Sequence, residues 1–247
     1  MASDRARQRV LTRIRKNIET AGFHLYLIAD GSVPRFAYTI GLRDTIGGEL
    51  VMPGAIFYMA DDVARVFHAV RREVEQRGLA QRAGAVAGHG GFSLRRVDSS
   101  WVPMLLLGAC DYYQTDDVPA WQLVPPVERM TIDVPDMGSP WDPEREPVWR
   151  WLQEPWPHPV PDNATVTTSL AALRGQRVTE VTRWDDGWEM FPDGSDVPES
   201  ALRVVPLGVF LGHDPTLEAA LDVPVGEGIW RRPEGDEWHA WRRRSPT

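Results

Sequence analysis

Residues 23–42 read FHLYLIADGSVPRFAYTIGL, and this stretch decides the fold class. Apolar residues occupy every second position from 23 to 27, the period of a β-strand, and Asp30-Gly31-Ser32 is a turn signal. Residues 36–42 are rich in aromatic and β-branched side chains, which favour a second strand. Because the connection is short, an antiparallel hairpin is the simplest arrangement.

Helical and strand-like patterns alternate around this hairpin, without the regular βαβ order of a parallel sheet. Apolar spacing predicts helices over 4–20 and from Asp61 or Asp62 to Gly78. Pro103 suits the first turn of a helix reaching Tyr113, with Leu106, Leu107 and Cys110 facing inward. Further strands are predicted at 49–52, 92–97 and 120–124.

A segment rich in Pro and Trp separates two predicted domains. Residues 133–162 contain eight prolines, which argue against long regular elements. The four tryptophans of this segment favour docking onto a domain, and Pro155 to Pro161 at spacing two leave a polyproline ligand as the alternative. We therefore expect an α+β domain over 1–132, a linker over 133–162 and a small α+β domain over 163–247. Each domain should contain a mostly antiparallel sheet with helices packed on one face.

The second domain has its own strand and turn signals. Strands are predicted at 165–169, 177–184 and 188–191, and short helices should begin at Pro206 and Pro215. Residues 229–232 and 238–242 flank a Pro-Glu-Gly-Asp turn, so they predict a closing hairpin in which Trp230 and Trp238 pair across the strands.

Composition limits the class of protein. The net charge of −8 disfavours nucleic-acid binding, and the longest apolar run is too short to span a membrane. The single cysteine, Cys110, excludes an intramolecular disulfide and suits a reducing compartment. We therefore expect a cytoplasmic protein with neither a nucleic-acid nor a membrane partner.

The charge is unevenly distributed. Residues 1–16 contain six Arg or Lys residues against one Asp, whereas residues 180–199 contain seven acidic residues against one arginine. A basic helix at the start could lie on a membrane or a nucleic acid, but a solvated face is the simpler interpretation. The acidic stretch could steer a basic partner, with neighbouring tryptophans as anchors. The candidate binding residues are Trp184, Asp185, Asp186, Trp188 and Glu189. The alternatives are core tryptophans, a solvated acidic turn or a calcium loop.

Patterns for common catalytic sites are weak. No G-x-S-x-G pentapeptide occurs, and the six histidines lack the i, i+4 spacing that places two imidazoles on one metal. The glycine-rich residues 84–91 lack the Walker and G-x-G-x-x-G patterns. Cys110, His89 and Asp111 could form a cysteine nucleophile set, although a buried inert thiol is the more common case. We expect no metal and no cofactor.

Several short motifs resemble a known bacterial family. They are FAYTIGL at 36–42, Tyr112-Tyr113, WQLV at 121–124 and SPWD at 139–142. Together they resemble the uncharacterised family called domain of unknown function 4262, over roughly residues 10–150. The resemblance implies no activity. If the family has a pocket, the matching positions to inspect are Tyr38, Thr39, Gly41, Tyr113 and Gln122, to which we add His89 of the glycine-rich residues 84–91.

The end of the chain is similar to a second bacterial family. The motifs in register are DGWEMF at 186–191, VPL at 205–207, DPTL at 214–217 and WRR at 230–232. They resemble Immunity protein 33-like domains, which are proposed to neutralise toxins by binding them. The family's acidic insert after the Phe is partly matched by Asp193 and Asp196. The resemblance implies a small α+β domain without catalytic residues.

Two functions of different classes follow from these patterns. The first is a non-catalytic cytoplasmic protein that binds a basic protein such as a toxin, through residues 184–189. The alternative is an enzyme or small-ligand sensor with a pocket in the first domain, formed by His89 and the nearby tyrosines.

Overall fold

The hairpin predicted at residues 23–42 is present in the computed structural model of the protein. Strand β1 (His24–Ile28) pairs antiparallel with β2 (Phe36–Ile40), and Tyr26 lies opposite Tyr38. The local strand and turn signals therefore predict the pairing correctly. The structure describes residues 2–78, 85–86, 88–192 and 197–242.

The chain forms two units, and each draws on separate stretches of sequence. The first unit contains residues 1–28, 36–129 and 136–141. The second contains residues 29–35, 130–135 and 142–247. Each unit has a mixed sheet and helices, so the α+β fold class is confirmed.

The first unit is built on a five-stranded sheet in the order β1-β2-β3-β7-β6. Neighbouring strands are antiparallel except β3 and β7, which are parallel. Within two turns of α3 (Ala60–Arg77), Val66, Phe67 and Val70 lie on one face of the helix and are fully buried. The elements beyond the hairpin are α1 (Ala2–Ala21), α2 (Arg43–Ile46), β3 (Glu49–Pro53), α3 (Ala60–Arg77), β4 (Ala85–Val86), β5 (Gly90–Gly91), β6 (Ser93–Arg96), α4 (Val102–Leu105), α5 (Leu107–Tyr113), β7 (Ala120–Val124) and 3₁₀ turns at Ser99–Trp101 and Val127–Arg129.

The helix predicted from Pro103 to Tyr113 is interrupted. Leu106 leaves the helical conformation (φ −96°, ψ 35°) and separates α4 from α5. This break buries Leu106 completely but leaves Leu107 63% exposed. The prediction that both leucines face inward is therefore wrong, because the change of direction at Leu106 shifts the helical face after it.

The second unit is built on a six-stranded sheet in the order β11-β8-β10-β9-β12-β13. Only the β8–β10 pair is parallel among these neighbours. Strand β11 at the edge is absent from the sequence predictions. The elements are β8 (Thr165–Ser169), α6 (Leu170–Leu173), β9 (Glu180–Trp184), β10 (Gly187–Phe191), β11 (Leu202–Pro206), α7 (Leu207–His213), β12 (Glu227–Trp230), β13 (His239–Arg242) and 3₁₀ helices at Pro147–Leu152, Glu199–Ala201 and Pro215–Asp222.

The closing hairpin forms, but in a different register from the one predicted. Trp230 lies opposite His239, and their ring centroids are 4.8 Å apart. Trp238 instead stacks over the Arg231 guanidinium at 4.3 Å and donates its indole N–H to the Thr216 carbonyl. The predicted Trp230–Trp238 pair is therefore wrong, because Trp238 packs on the buried Arg231 and does not pair with a residue of β12.

Three of the four tryptophans of the Pro-rich segment, Trp149, Trp151 and Trp156, pack within the second unit. Trp149 is fully buried and donates its indole N–H to the Asp133 carbonyl at 3.1 Å. Trp151 donates to the Gly208 carbonyl, and its ring lies edge-on to Trp156. The predicted docking of this segment is confirmed. Separately, no helix in the described part of the chain is long and apolar enough to cross a membrane.

Two valines provide a matched test of the first core. Val66 is fully buried in α3, whereas Val127 is 88% exposed. We expect Val66→Ala to lower the free energy of unfolding by about 1.5–3 kcal/mol, because two buried methyl groups are lost and a cavity remains. Val127→Ala should change it by less than about 0.5 kcal/mol. Urea unfolding of both variants measures the difference, and equal losses would contradict the packing of α3.

Candidate functional site

A buried carboxylate in the first unit gathers three of the residues selected from the sequence. Glu49, at the start of β3, has no exposed surface. It accepts hydrogen bonds from the Thr39 hydroxyl (2.6 Å), the Tyr113 hydroxyl (2.6 Å) and the Gly41 N–H (2.9 Å). The N–H groups of the two residues after Gly41 also donate to it. The family motif around residue 39 therefore surrounds a carboxylate.

The hydrogen bonds to Glu49 connect β3 to β2, to the segment that follows β2, and to α5. Burial raises the pKa of Glu49, and the hydrogen bonds to it act in the opposite direction. Five donors occupy the acceptor sites of the carboxylate, so it ties the end of β2 and the start of α2 to β3. Sequence reasoning missed Glu49, although one carboxylate at the start of the apolar strand ELVMP was a usable signal.

Tyr38 and Gln122 also make hydrogen bonds inside the first unit. The Tyr38 hydroxyl accepts the Gly108 N–H at 3.0 Å, and burial raises the pKa of the phenol. The Gln122 side-chain oxygen accepts the Met137 N–H at 3.2 Å. Each side chain connects its strand to a neighbouring segment. A structural role therefore accounts for Tyr38 and Gln122, two of the positions that carry the family resemblance.

His89 lies in a different group of contacts. Its Nε2 is 3.7 Å from Asp62 Oδ1, and its side chain is 14% exposed. The Tyr58 hydroxyl donates to the His89 carbonyl at 3.1 Å, and the Arg129 guanidinium lies over the Tyr58 ring. The six pocket positions therefore contact separate sets of partners, and a pocket formed by all of them stays a prediction.

The cysteine nucleophile set is not assembled. The Cys110 thiol faces the Val102 carbonyl, and burial raises its pKa, which disfavours the reactive thiolate. Asp111 is bound by Arg7 through two guanidinium nitrogens, and this pairing lowers the pKa of the carboxyl. Asp111 is thus engaged by a cation rather than by an imidazole, and Cys110 is a structural residue.

The second unit arranges the other candidate residues around β10. Trp188 is 2% exposed, donates its indole N–H to the Ala220 carbonyl at 3.0 Å, and has the Arg183 guanidinium 3.5 Å above its ring. Since side chains alternate along a strand, Glu189 faces the opposite side of the sheet. Trp188 is therefore a core residue, in agreement with the alternative that treated the tryptophans as core residues and not as binding anchors.

The side of the sheet opposite Trp188 carries a row of aligned residues. In register across four strands lie Val204 of β11, Thr167 of β8, Glu189 of β10 and Thr182 of β9. Val204 is 59% exposed. We call these four residues, together with Trp184, the open face. A hollow of about 240 Å³ lies against Thr167, Trp184, Glu189 and Val204.

Two carboxylates extend the open face at the β9–β10 turn. Asp185 and Asp186 are exposed, and they follow directly after Trp184. A second hollow of about 200 Å³ lies beside them, against Asn163 and Thr165. Asp193 and Asp196, the predicted acidic insert, lie outside the described residues. Within the part of the chain that is described, no group of three or more His, Cys, Asp or Glu residues could hold a metal ion.

Adjacent tyrosines test the Glu49 cluster. Tyr113 donates to Glu49, whereas Tyr112 packs edge-on against the Tyr113 ring. We expect Tyr113→Phe to lower the free energy of unfolding by about 1.5–3 kcal/mol, because a buried carboxylate loses a donor. Tyr112→Phe should cost less than about 0.5 kcal/mol. Urea denaturation gives both values, and the reverse ranking would contradict the geometry.

The raised pKa of Glu49 predicts a pH dependence of stability. Between the ordinary glutamate pKa of about 4.3 and the raised folded value, the folded protein keeps a proton that the unfolded chain has lost. Wild-type stability therefore falls with increasing pH over that window, whereas the Glu49→Gln variant lacks this contribution. We expect the stability of Glu49→Gln relative to wild type to increase from pH 4.5 to pH 8 in urea titrations. A difference that stays constant would contradict the assignment.

Comparisons with known proteins bear on the first unit. No curated protein and no solved structure matches the chain. The resemblance of the tail to Immunity protein 33-like domains stays a prediction. Residues 17–131, which include Glu49 and the residues that bind it, match the family described as Domain of unknown function (DUF4262), and this confirms the resemblance stated for the first part of the chain.

Proposed function

We propose that the protein acts without catalysis by binding a basic protein partner through the open face and the adjacent Asp185 and Asp186. The observation that carries the proposal is a hollow lined by Glu189, by Val204 in the same cross-strand row, and by Trp184 on the same side of the sheet. Protein interfaces combine apolar contacts with charged and polar groups, and the open face carries both.

Charge favours a basic partner over a neutral one. Asp185 and Asp186 are exposed at the turn, Glu189 points to the open face, and Glu180 is exposed at the far end of β9. Carboxylates concentrated at one place raise the encounter rate with a positively charged surface and reject acidic partners. The partner should therefore carry lysines or arginines opposite the β9–β10 turn.

The apolar contacts come from Trp184 and Val204. Trp184 is half-buried, so part of its ring is available to a partner, and Val204 is the more exposed of the two. Burial of large apolar side chains usually supplies most of the binding energy at such a surface. Trp188 cannot contribute in this way, because it is already buried.

A toxin is the class of partner that the sequence supports best. Residues 186–191 and 214–217 resemble Immunity protein 33-like domains, and members of that bacterial family are proposed to bind toxins. The buried, reduced Cys110 agrees with a role in the cytoplasm. A toxin that acts on nucleic acid needs a basic surface to bind phosphate groups, and such a surface complements the negative charge of the site.

A charge-reversal pair tests this proposal. The test variant is Asp185→Lys, Asp186→Lys and Glu189→Lys. The control is Glu144→Lys, Glu218→Lys and Asp222→Lys, which changes the net charge equally at exposed positions of the same unit. Immobilised proteins capture partners from a native lysate at 50 and 300 mM NaCl, and mass spectrometry identifies them. We then measure association rates with the purified partner.

We expect wild type and control to retain the same basic protein, and the test variant to bind it at least tenfold more slowly at low salt. The rate for wild type should fall with salt. A partner that binds the test variant and wild type equally would contradict the proposal, as would an acidic partner.

The alternative function, a small-ligand site in the first unit, rests on the His89–Asp62 pair. An imidazole beside a carboxylate can act as a base when a substrate approaches. His89→Ala would abolish such an activity, but it should leave capture by the open face unchanged. This difference separates the two functions.

A further inference from the structure

A cleft of about 320 Å³ lies within the second unit, apart from the open face. The apolar side chains that line it are almost completely buried and close its base: Ala172, Val178, Phe210 and Leu217. This volume is at the lower end of the range for small-molecule sites. The cleft therefore suits a molecule with a single ring better than a nucleotide.

A buried guanidinium fixes the wall of this cleft. The Arg231 side chain has no exposed surface and donates to the Val178 carbonyl (2.8 Å), the Thr216 hydroxyl (2.6 Å) and the Asp214 carboxylate (2.6 Å). Asp214 also accepts the Thr216 N–H, so both of its oxygens are bound. Because these groups satisfy one another, the wall is preformed before any ligand arrives.

A second arginine sits at the edge of the cleft with a carboxylate that is easily exchanged. Arg177 donates to the Pro233 carbonyl at 3.0 Å and pairs with Asp236. The Arg177 side chain is 33% exposed, and that of Asp236 is 79% exposed. Because an exposed ion pair contributes only about 0–1 kcal/mol, another carboxylate can replace Asp236 on Arg177 at little cost.

The remaining polar groups of the cleft do not oppose an anion. Desolvation lowers the pKa of His213, which favours the neutral ring, and a neutral ring can donate one hydrogen bond. The Asp214 charge is balanced by Arg231. The Gln176 amide adds a further donor beside Arg177. Once Asp236 moves aside, the edge therefore presents a cation and neutral donors above an apolar base.

We propose that this cleft binds a small molecule with one ring and a carboxylate, the ring lying within the cleft and the carboxylate on Arg177 in place of Asp236. The loop that carries Asp236 connects β12 to β13, and the Trp238 indole fixes its end on Thr216. The ligand carboxylate thus replaces only the Asp236 side chain on Arg177, while the hydrogen bond from Trp238 to Thr216 keeps the end of the loop in place.

The test uses defined probes on the full chain. Benzoate, phenylacetate and 3-phenylpropanoate are titrated in parallel with their three neutral amides, and binding is followed by ¹H–¹⁵N chemical shifts. We expect at least one acid to give saturable shifts at residues 175–178 and 213–217, and its amide to bind at least tenfold more weakly. Equal binding of every acid and its amide would overturn the proposal, as would the absence of saturable shifts with all six probes.

Three variants separate the role of Arg177 from a general effect on folding. Arg177→Gln should weaken binding of the acid roughly tenfold. Arg232→Gln, which changes an exposed arginine on the loop that carries Asp236, should not. Asp236→Asn should strengthen it up to about fivefold, because the competing carboxylate is removed. Weaker binding by Asp236→Asn would overturn the exchange. Neither result bears on the open face, since the cleft shares no lining residue with its hollow.

Discussion

The buried indole of Trp188 determines how the second unit presents its sheet. Its N–H is bound by the Ala220 carbonyl and its ring is covered by Arg183, so this side of β10 must face the core. Alternation along the strand then places Glu189 on the other side, and strand pairing aligns it with Thr167 and Val204. A shift of one residue would bury the carboxylate, so the packing that stabilises the unit also creates the open face.

In the first unit, the residue on which the surrounding structure depends is the buried Glu49. Glu49 is removed from water and compensated by hydroxyl and backbone donors from β2, the start of α2 and α5. A buried carboxylate without these donors would cost several kcal/mol. The motif residues Thr39 and Gly41 are therefore explained by this network, and the family match over residues 17–131 covers it.

Local sequence signals predicted elements better than pairings. The β1–β2 hairpin and α3 follow from alternation, turn residues and helical spacing. The break at Leu106 was not predictable, because the residue at the break is neither Gly nor Pro. Its position depends on tertiary packing, which buries Leu106 and leaves Leu107 exposed. Glu49 was missed for a related reason: its partners lie 6 to 64 residues away in sequence. The residues of the hairpin turn, Asp185 and Asp186, were located correctly as exposed acidic positions, but their function depends on a partner that the chain does not contain.

A photo-crosslinker placed on the open face reports whether a basic protein binds there. Benzoylphenylalanine replaces Val204 in one variant and Val127, which is exposed in the first unit, in the other. After irradiation of living cells, mass spectrometry identifies the attached proteins. The account predicts that position 204 captures one basic protein that position 127 does not. Capture of the same proteins from both positions, or only from position 127, would contradict it.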